Sequence, residues 1–152
     1  MGILRQRSIL AFFLAVLATF TVSFSNLAAA PKTSTYTPAQ IEQIQQKYVP
    51  PILKARERIT SELEPLIKER NWVYVNMFIH GPLGTLRQDM AYLSRNLLPK
   101  DQAQSRKIAK EVFTHLEALD KAAQVGDYET AFNNYREALK DIDAFLQMVP
   151  KA

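Results

Sequence analysis

The 152-residue sequence contains no cysteine. That excludes disulfides, thiolate metal sites, covalently attached c-type haem, a thiol nucleophile and a thioether-linked lipid, so the fold is held by its core alone. Glycine is scarce, with 4 in the whole chain, and none is arranged as a phosphate-cradling loop. Histidine is scarcer still: His80 and His115 are the only two, and neither belongs to a Glu-x-x-His unit of the kind that builds di-iron sites in helix bundles. A dominant charge is missing too. Setting aside Arg5 and Arg7, 17 lysines and arginines face 15 acids, too even a balance for a nucleic-acid footprint. The remaining charge is mildly polarised, with residues 31–70 holding seven basic and five acidic side chains and residues 127–152 three and five, which can orient a docking protein. No strand pattern or internal repeat is present.

What is there begins with an export signal over residues 1–30. Arg5 and Arg7 precede an apolar stretch, Ile9 to Val22, too short for a confident membrane span, and Ala28, Ala29 and Ala30 supply small residues for cleavage. Residues 31–37 read as a flexible polar linker.

The rest, 38–150, reads as an all-α domain. Thr37 and Pro38 make a helix start, with proline where its missing N–H costs nothing. The first helix, about 38–70, is expected to break at 49–51, where VPP removes backbone hydrogen bonds, and to resume with Ala55, Ile59, Leu63, Leu66 and Ile67 inward. Next, Trp72, Val75, Ile79, Leu83, Leu86, Met90, Leu93 and Leu97 recur at intervals of three and four without slipping across Gly81-Pro82. The unbroken phase predicts one helix over 71–97, kinked at Pro82 where the carbonyl of Phe78 loses its partner, with Gly81 relieving the crowding and Trp72 locking the helix start into the core. A third helix over 100–125 carries Ile108, Val112, Leu116, Leu119 and Ala123. Gly126 stops it, and Asp127 caps a fourth over 127–148 with Tyr128, Ala131, Phe132, Tyr135, Leu139, Ile142 and Leu146 inward. Short connections make these antiparallel neighbours, an up-down-up-down four-helix bundle.

Chemistry is harder to find. Glu111 and His115 share a helix face but supply two ligands where zinc takes three or four, so a surface ion pair or hydrogen bond is the plainer reading. A haem held by histidine with Met77 or Met90 is the competing possibility, as an exported bundle carrying a metal or haem through His80 or His115. Ser94 and Ser105 have no evident base, and Glu64 with Lys68 is a helix-spaced ion pair. The residues alone point to an exported, cysteine-free four-helix protein that serves as a binding or structural subunit.

Three segments carry a family resemblance. They are IHGPLGTLRQDMAYLSRNLLP following Trp72, FTHLEALDKAA from Phe113 to Ala123, and YREALKDIDAFLQMVP from Tyr135 to Pro150. Together they resemble the cyanobacterial branch of the PsbQ family of photosystem II extrinsic proteins over roughly residues 40–150. The resemblance implies a four-helix bundle on the lumenal face of photosystem II, in peripheral association with the thylakoid membrane. There it would stabilise the oxygen-evolving complex and its calcium and chloride retention without catalysis or a cofactor. It implies the inner antenna protein and the manganese-stabilising protein as neighbours. Cyanobacterial members are commonly lipoproteins, and this sequence departs from them with Ala30 where the lipidated cysteine would fall. Arg87 and Arg95, outside the apolar stripe, are the candidate docking residues, with the basic first helix around Lys54, Arg56 and Arg58 as the alternative.

Overall fold

The computed structural model describes residues 35–151, so the expected signal and most of the linker lie outside the described residues. The described chain is helical throughout, in antiparallel helices that pack as a four-helix bundle.

Helix α1 spans 38–68. Thr37 and Gln40 form a reciprocal cap, with the Thr37 hydroxyl accepting from the Gln40 amide at 3.3 Å and the Gln40 side-chain oxygen accepting from the Thr37 amide at 2.9 Å. The expected break at 49–51 is absent: α1 runs straight through Pro50, Pro51 and later Pro65. It does so by widening its turn just before each proline. Over Ile44–Tyr48 and again over Ile59–Leu63 the backbone bonds five residues back, so that Val49 donates to Ile44 and Glu64 to Ile59. Such π-type turns insert one residue into the spiral and move the carbonyl that a proline ring would otherwise strike. α1 closes at Lys68 with Arg70 in the left-handed region at φ 55°, and the Asn71 amide reaches back to the Leu66 carbonyl at 2.8 Å.

The second departure from expectation is the mirror image. Residues 71–97 are two helices, α2 Trp72–His80 and α3 Leu86–Asn96, separated by turns over 81–85. The Phe78 carbonyl, deprived of a donor at Pro82, accepts from Leu83 at 3.3 Å. Three-back bonds from Gly84 to Gly81 and from Leu86 to Leu83 then replace the helix. Glycine is required at 81 because a Cβ there would stand 2.8 Å from the Met77 carbonyl oxygen. The apolar phase survives the break: Val75, Leu83, Leu86, Met90, Leu93 and Leu97 are all buried. Trp72 is only half-buried and lies against the core edge rather than in it, with Phe78 taking the interior place instead.

α4 spans Pro99–Gln124 and α5 Tyr128–Gln147, and these two are the most extensively packed pair. Gly126 turns between them at φ 73°, and Asp127 caps α5 by accepting from the Thr130 amide at 3.1 Å. The core gathers Ile52, Ile59, Leu63 and Ile67 of α1 with Leu116, Leu119, Ile142 and Phe145 of α4 and α5. Burying one such side chain contributes about 1.5–3 kcal/mol.

Candidate functional site

The break in the second helix opens a cleft of about 260 Å³ between 79–87 and α4. Its apolar wall is Ile79, Leu83, Phe113 and Leu116; its rim is His80, Arg87, Glu117 and Asp120. The rim groups satisfy one another. Asp120 accepts from Asn76 at 2.8 Å, from Gln124 at 3.0 Å and pairs with the His80 Nε2 at 3.2 Å. Arg87 donates to Glu117 at 3.1 Å and lies over the Phe113 ring at 4.0 Å. Nothing in the cleft is a poised nucleophile or base.

The histidines have local partners, His80 at the surface and His115 half-buried. His80 is exposed beside Asp120; His115 faces Asn134 at 3.1 Å and Asp141 at 3.6 Å, and not Glu111 on its own helix. Burial pushes the Asp141 carboxyl above its usual range, with His115 opposing and Glu137 and Glu111 adding to the rise. Among the described residues no group of three or more acidic, histidine or cysteine side chains could hold a metal ion.

The five candidate cations do not come together. Arg56 grips Asp143 of α5 with both ends of its guanidinium, and Arg58 holds Glu62 at 2.6 Å one turn along α1. Arg87 is engaged in the cleft. Arg95 lies over the ring of Tyr92 at 5.4 Å, and among the described residues neither Arg95 nor Lys54 forms an ion pair. Sequence reasoning paired Glu64 with Lys68, which stand 2.6 Å apart. It missed the Tyr135 hydroxyl, which donates to the same carboxylate at 2.7 Å across the bundle. Lys68 and then Tyr135 hold Glu64 below the usual carboxylate range; burial first and Glu64 second push the Tyr135 hydroxyl up. No spacing within one helix could have revealed a contact between residues 71 positions apart.

The polar groups of the cleft are occupied with one another, and comparison with known proteins says to which family the chain belongs. The family model for PsbQ, described as oxygen evolving enhancer protein 3, matches residues 5–150. The chain belongs to the PsbQ family. It is 46% identical over 148 residues to a Synechocystis sp. protein named CyanoQ, an alignment covering 97% of this chain and 98% of that one. As a PsbQ-family protein it is an extrinsic, non-catalytic oxygen-evolving enhancer protein of photosystem II. No helix among the described residues is long and apolar enough to cross a membrane.

Proposed function

We propose that this chain docks on the lumenal face of the photosystem II core, beside the inner antenna protein and the manganese-stabilising protein, and stabilises the assembled oxygen-evolving complex. The observation that carries the reading is the 46% identity to CyanoQ along nearly the whole of both chains. Association rests on surface charge and exposed helix faces rather than on a deep pocket. Of the five candidate cations, Lys54 and Arg95 are the better placed, because Arg56, Arg58 and Arg87 already serve carboxylates of the chain itself. The alternative of a bundle carrying haem or metal through His80 or His115 has little support. His80 is exposed and His115 half-buried, each against carboxylate or amide groups, while Met90 is fully buried.

An affinity pull-down of the mature protein from detergent-solubilised thylakoids tests the reading. Large photosystem II subunits should accompany it, and a bait that retains none of them overturns the assignment. A salt series sharpens the test, since exposed charges more than about 10 Å apart are largely screened at 0.1 M. Binding that falls with salt, and falls further in Lys54→Glu/Arg95→Glu, assigns those cations a docking role; equal binding by parent and variant removes it.

A further inference from the structure

Among the described helices α2 alone, WVYVNMFIH, carries no lysine, arginine, aspartate or glutamate. Its outer face is apolar. Val73, Tyr74 and Met77 are 69%, 57% and 58% exposed, and they adjoin one another at helical spacing. These are three of the six large hydrophobic side chains that the described chain leaves exposed; a fourth, Val125, is 80% exposed at the end of α4. A groove of about 380 Å³ runs beside Val73 and Met77. It is lined by Trp72, Val73, Asn76 and Met77 from α2 and by Ala123, Gln124 and Gly126 from the end of α4. Other helices of the bundle turn charged side chains to water, so an uncharged face here is a departure that burial within an assembly explains.

We propose that the outer face of α2 and its groove against the end of α4 form a docking site for an apolar, side-chain-bearing segment of a photosystem II protein subunit. This proposal rests on the photosystem II assignment above and adds a specific surface to it. Three arguments choose the occupant. The exposed apolar area is on the order of a few hundred Å², well short of the roughly 800 Å² per partner that a specific stable interface buries. A second copy of this chain held by this patch alone is therefore excluded, whereas a larger complex that also contacts the protein elsewhere can use it as an anchor point. A membrane surface is disfavoured because α2 lacks the lysines and arginines with which interfacial helices meet lipid headgroups. A protein segment suits the groove: Asn76 and Gln124 each give one N–H to Asp120 and keep a second N–H and the carbonyl oxygen for a partner's backbone, and the Trp72 indole N–H donates to nothing among the described residues. Aromatic and methionine side chains around such a groove are the types enriched where interfaces concentrate their binding energy.

The test uses the mature chain and photosystem II particles stripped of their extrinsic proteins. Val73→Glu/Met77→Glu alters two exposed positions, so circular dichroism should show an unchanged fold. Rebinding should fall by about tenfold or more, the loss expected when an anchor is replaced by charge. A folded double variant that rebinds like the parent overturns the docking site while leaving the photosystem assignment intact. A parent that does not rebind at all overturns the assignment itself. The absence of native cysteine allows a second measurement that does not depend on affinity. A benzophenone attached to Met77→Cys should cross-link to a photosystem II subunit, and one attached to the exposed Lys107→Cys toward the other end of the bundle should not. Adducts from Met77→Cys only with itself or with lipid, or capture only from Lys107→Cys, overturn the proposal.

Discussion

Two stretches of this chain meet proline inside a helix and respond oppositely. α1 carries Pro50, Pro51 and Pro65 and stays a helix; at Gly81-Pro82 the second helix ends and a new one begins five residues later. The first response is the same in both, a backbone bond five residues back: Val49 to Ile44, Glu64 to Ile59, Leu83 to Phe78. Beyond that bond the two diverge. After the wide turns of α1 come Val49 and Ile52 and then Ile67, all buried, and the core they enter holds the spiral on course. After Pro82 comes Leu83, which is buried as well, but Gly84 follows it, and together with Gly81 it lets the chain tighten into three-back turns. Proline fixes where a backbone bond is lost; its neighbours decide whether the rod survives.

Substitutions on either side of this contrast should differ widely in effect. Leu83 lies in the turn yet is nearly as enclosed as Ile52 after the double proline. Leu83→Ala and Ile52→Ala should each destabilise the bundle by about 2–5 kcal/mol in denaturant unfolding. A negligible loss for Leu83→Ala would make 81–85 a loose loop instead of a core-anchored turn. Gly81→Ala places a methyl against the Met77 carbonyl and should cost about 1–3 kcal/mol by overpacking. Pro50→Ala should change stability by less than ~1 kcal/mol, because the wide turn already accommodates the ring and the proline's restriction of the unfolded chain is lost. A gain near the ~3 kcal/mol of an ordinary mid-helix proline would mean that α1 is strained there.

Smallest are the effects of pH on two carboxylates. Glu64, held low by Lys68 and Tyr135, contributes stability above its unfolded value near 4.5 that is lost as pH falls through its lower folded value. Glu64→Gln should therefore be less stable than the parent at pH 7 and converge with it on acidification. Asp141, raised by burial, has the opposite sign: its charge opposes folding at neutral pH and the penalty vanishes once it is protonated. Asp141→Asn should be the more stable at pH 7, with the advantage disappearing in acid. Thermal midpoints of the three proteins from pH 7 down to about pH 2 check both.

The sequence was informative wherever burial alone sets the pattern. Val75, Leu86, Met90 and Leu93 could be placed inside from spacing, and Thr37, Gly126 and Asp127 could be read as helix ends from backbone chemistry. It misled at both proline sites: at 49–51 the bond lost to proline implied a break that the wide turn avoids, and at 81–82 an unbroken apolar phase implied an unbroken helix, although phase reports which face a residue occupies and not whether the hydrogen bonds between are intact. A five-residue turn section that brings Leu83 back onto the core leaves the same periodicity as a helix. The candidate site was legible in its parts and not in its partners. His80 and Arg87 stood out, but Asp120 and Glu117, which fix them, come from another helix. The bare outer face of α2 was present in the letters, since no acidic residue stands between Glu69 and Asp89, yet exposure had to be seen before it carried meaning.

One contact sets a direction for the whole molecule. Gln45, in the first wide turn of α1, donates to the carbonyl of Pro150 at 2.7 Å, so the beginning of the bundle and its end are fastened side by side. From there α1 runs over 38–68, roughly 45 Å at 1.5 Å per residue, to the opposite pole where Trp72 and Gly126 meet. The bundle is thus a spacer with both ends of its described residues at one pole and its apolar tip at the other. A fluorophore or an affinity handle added after Ala152 would sit a bundle's length from Val73 and Met77. It could report on the far pole by distance without covering it.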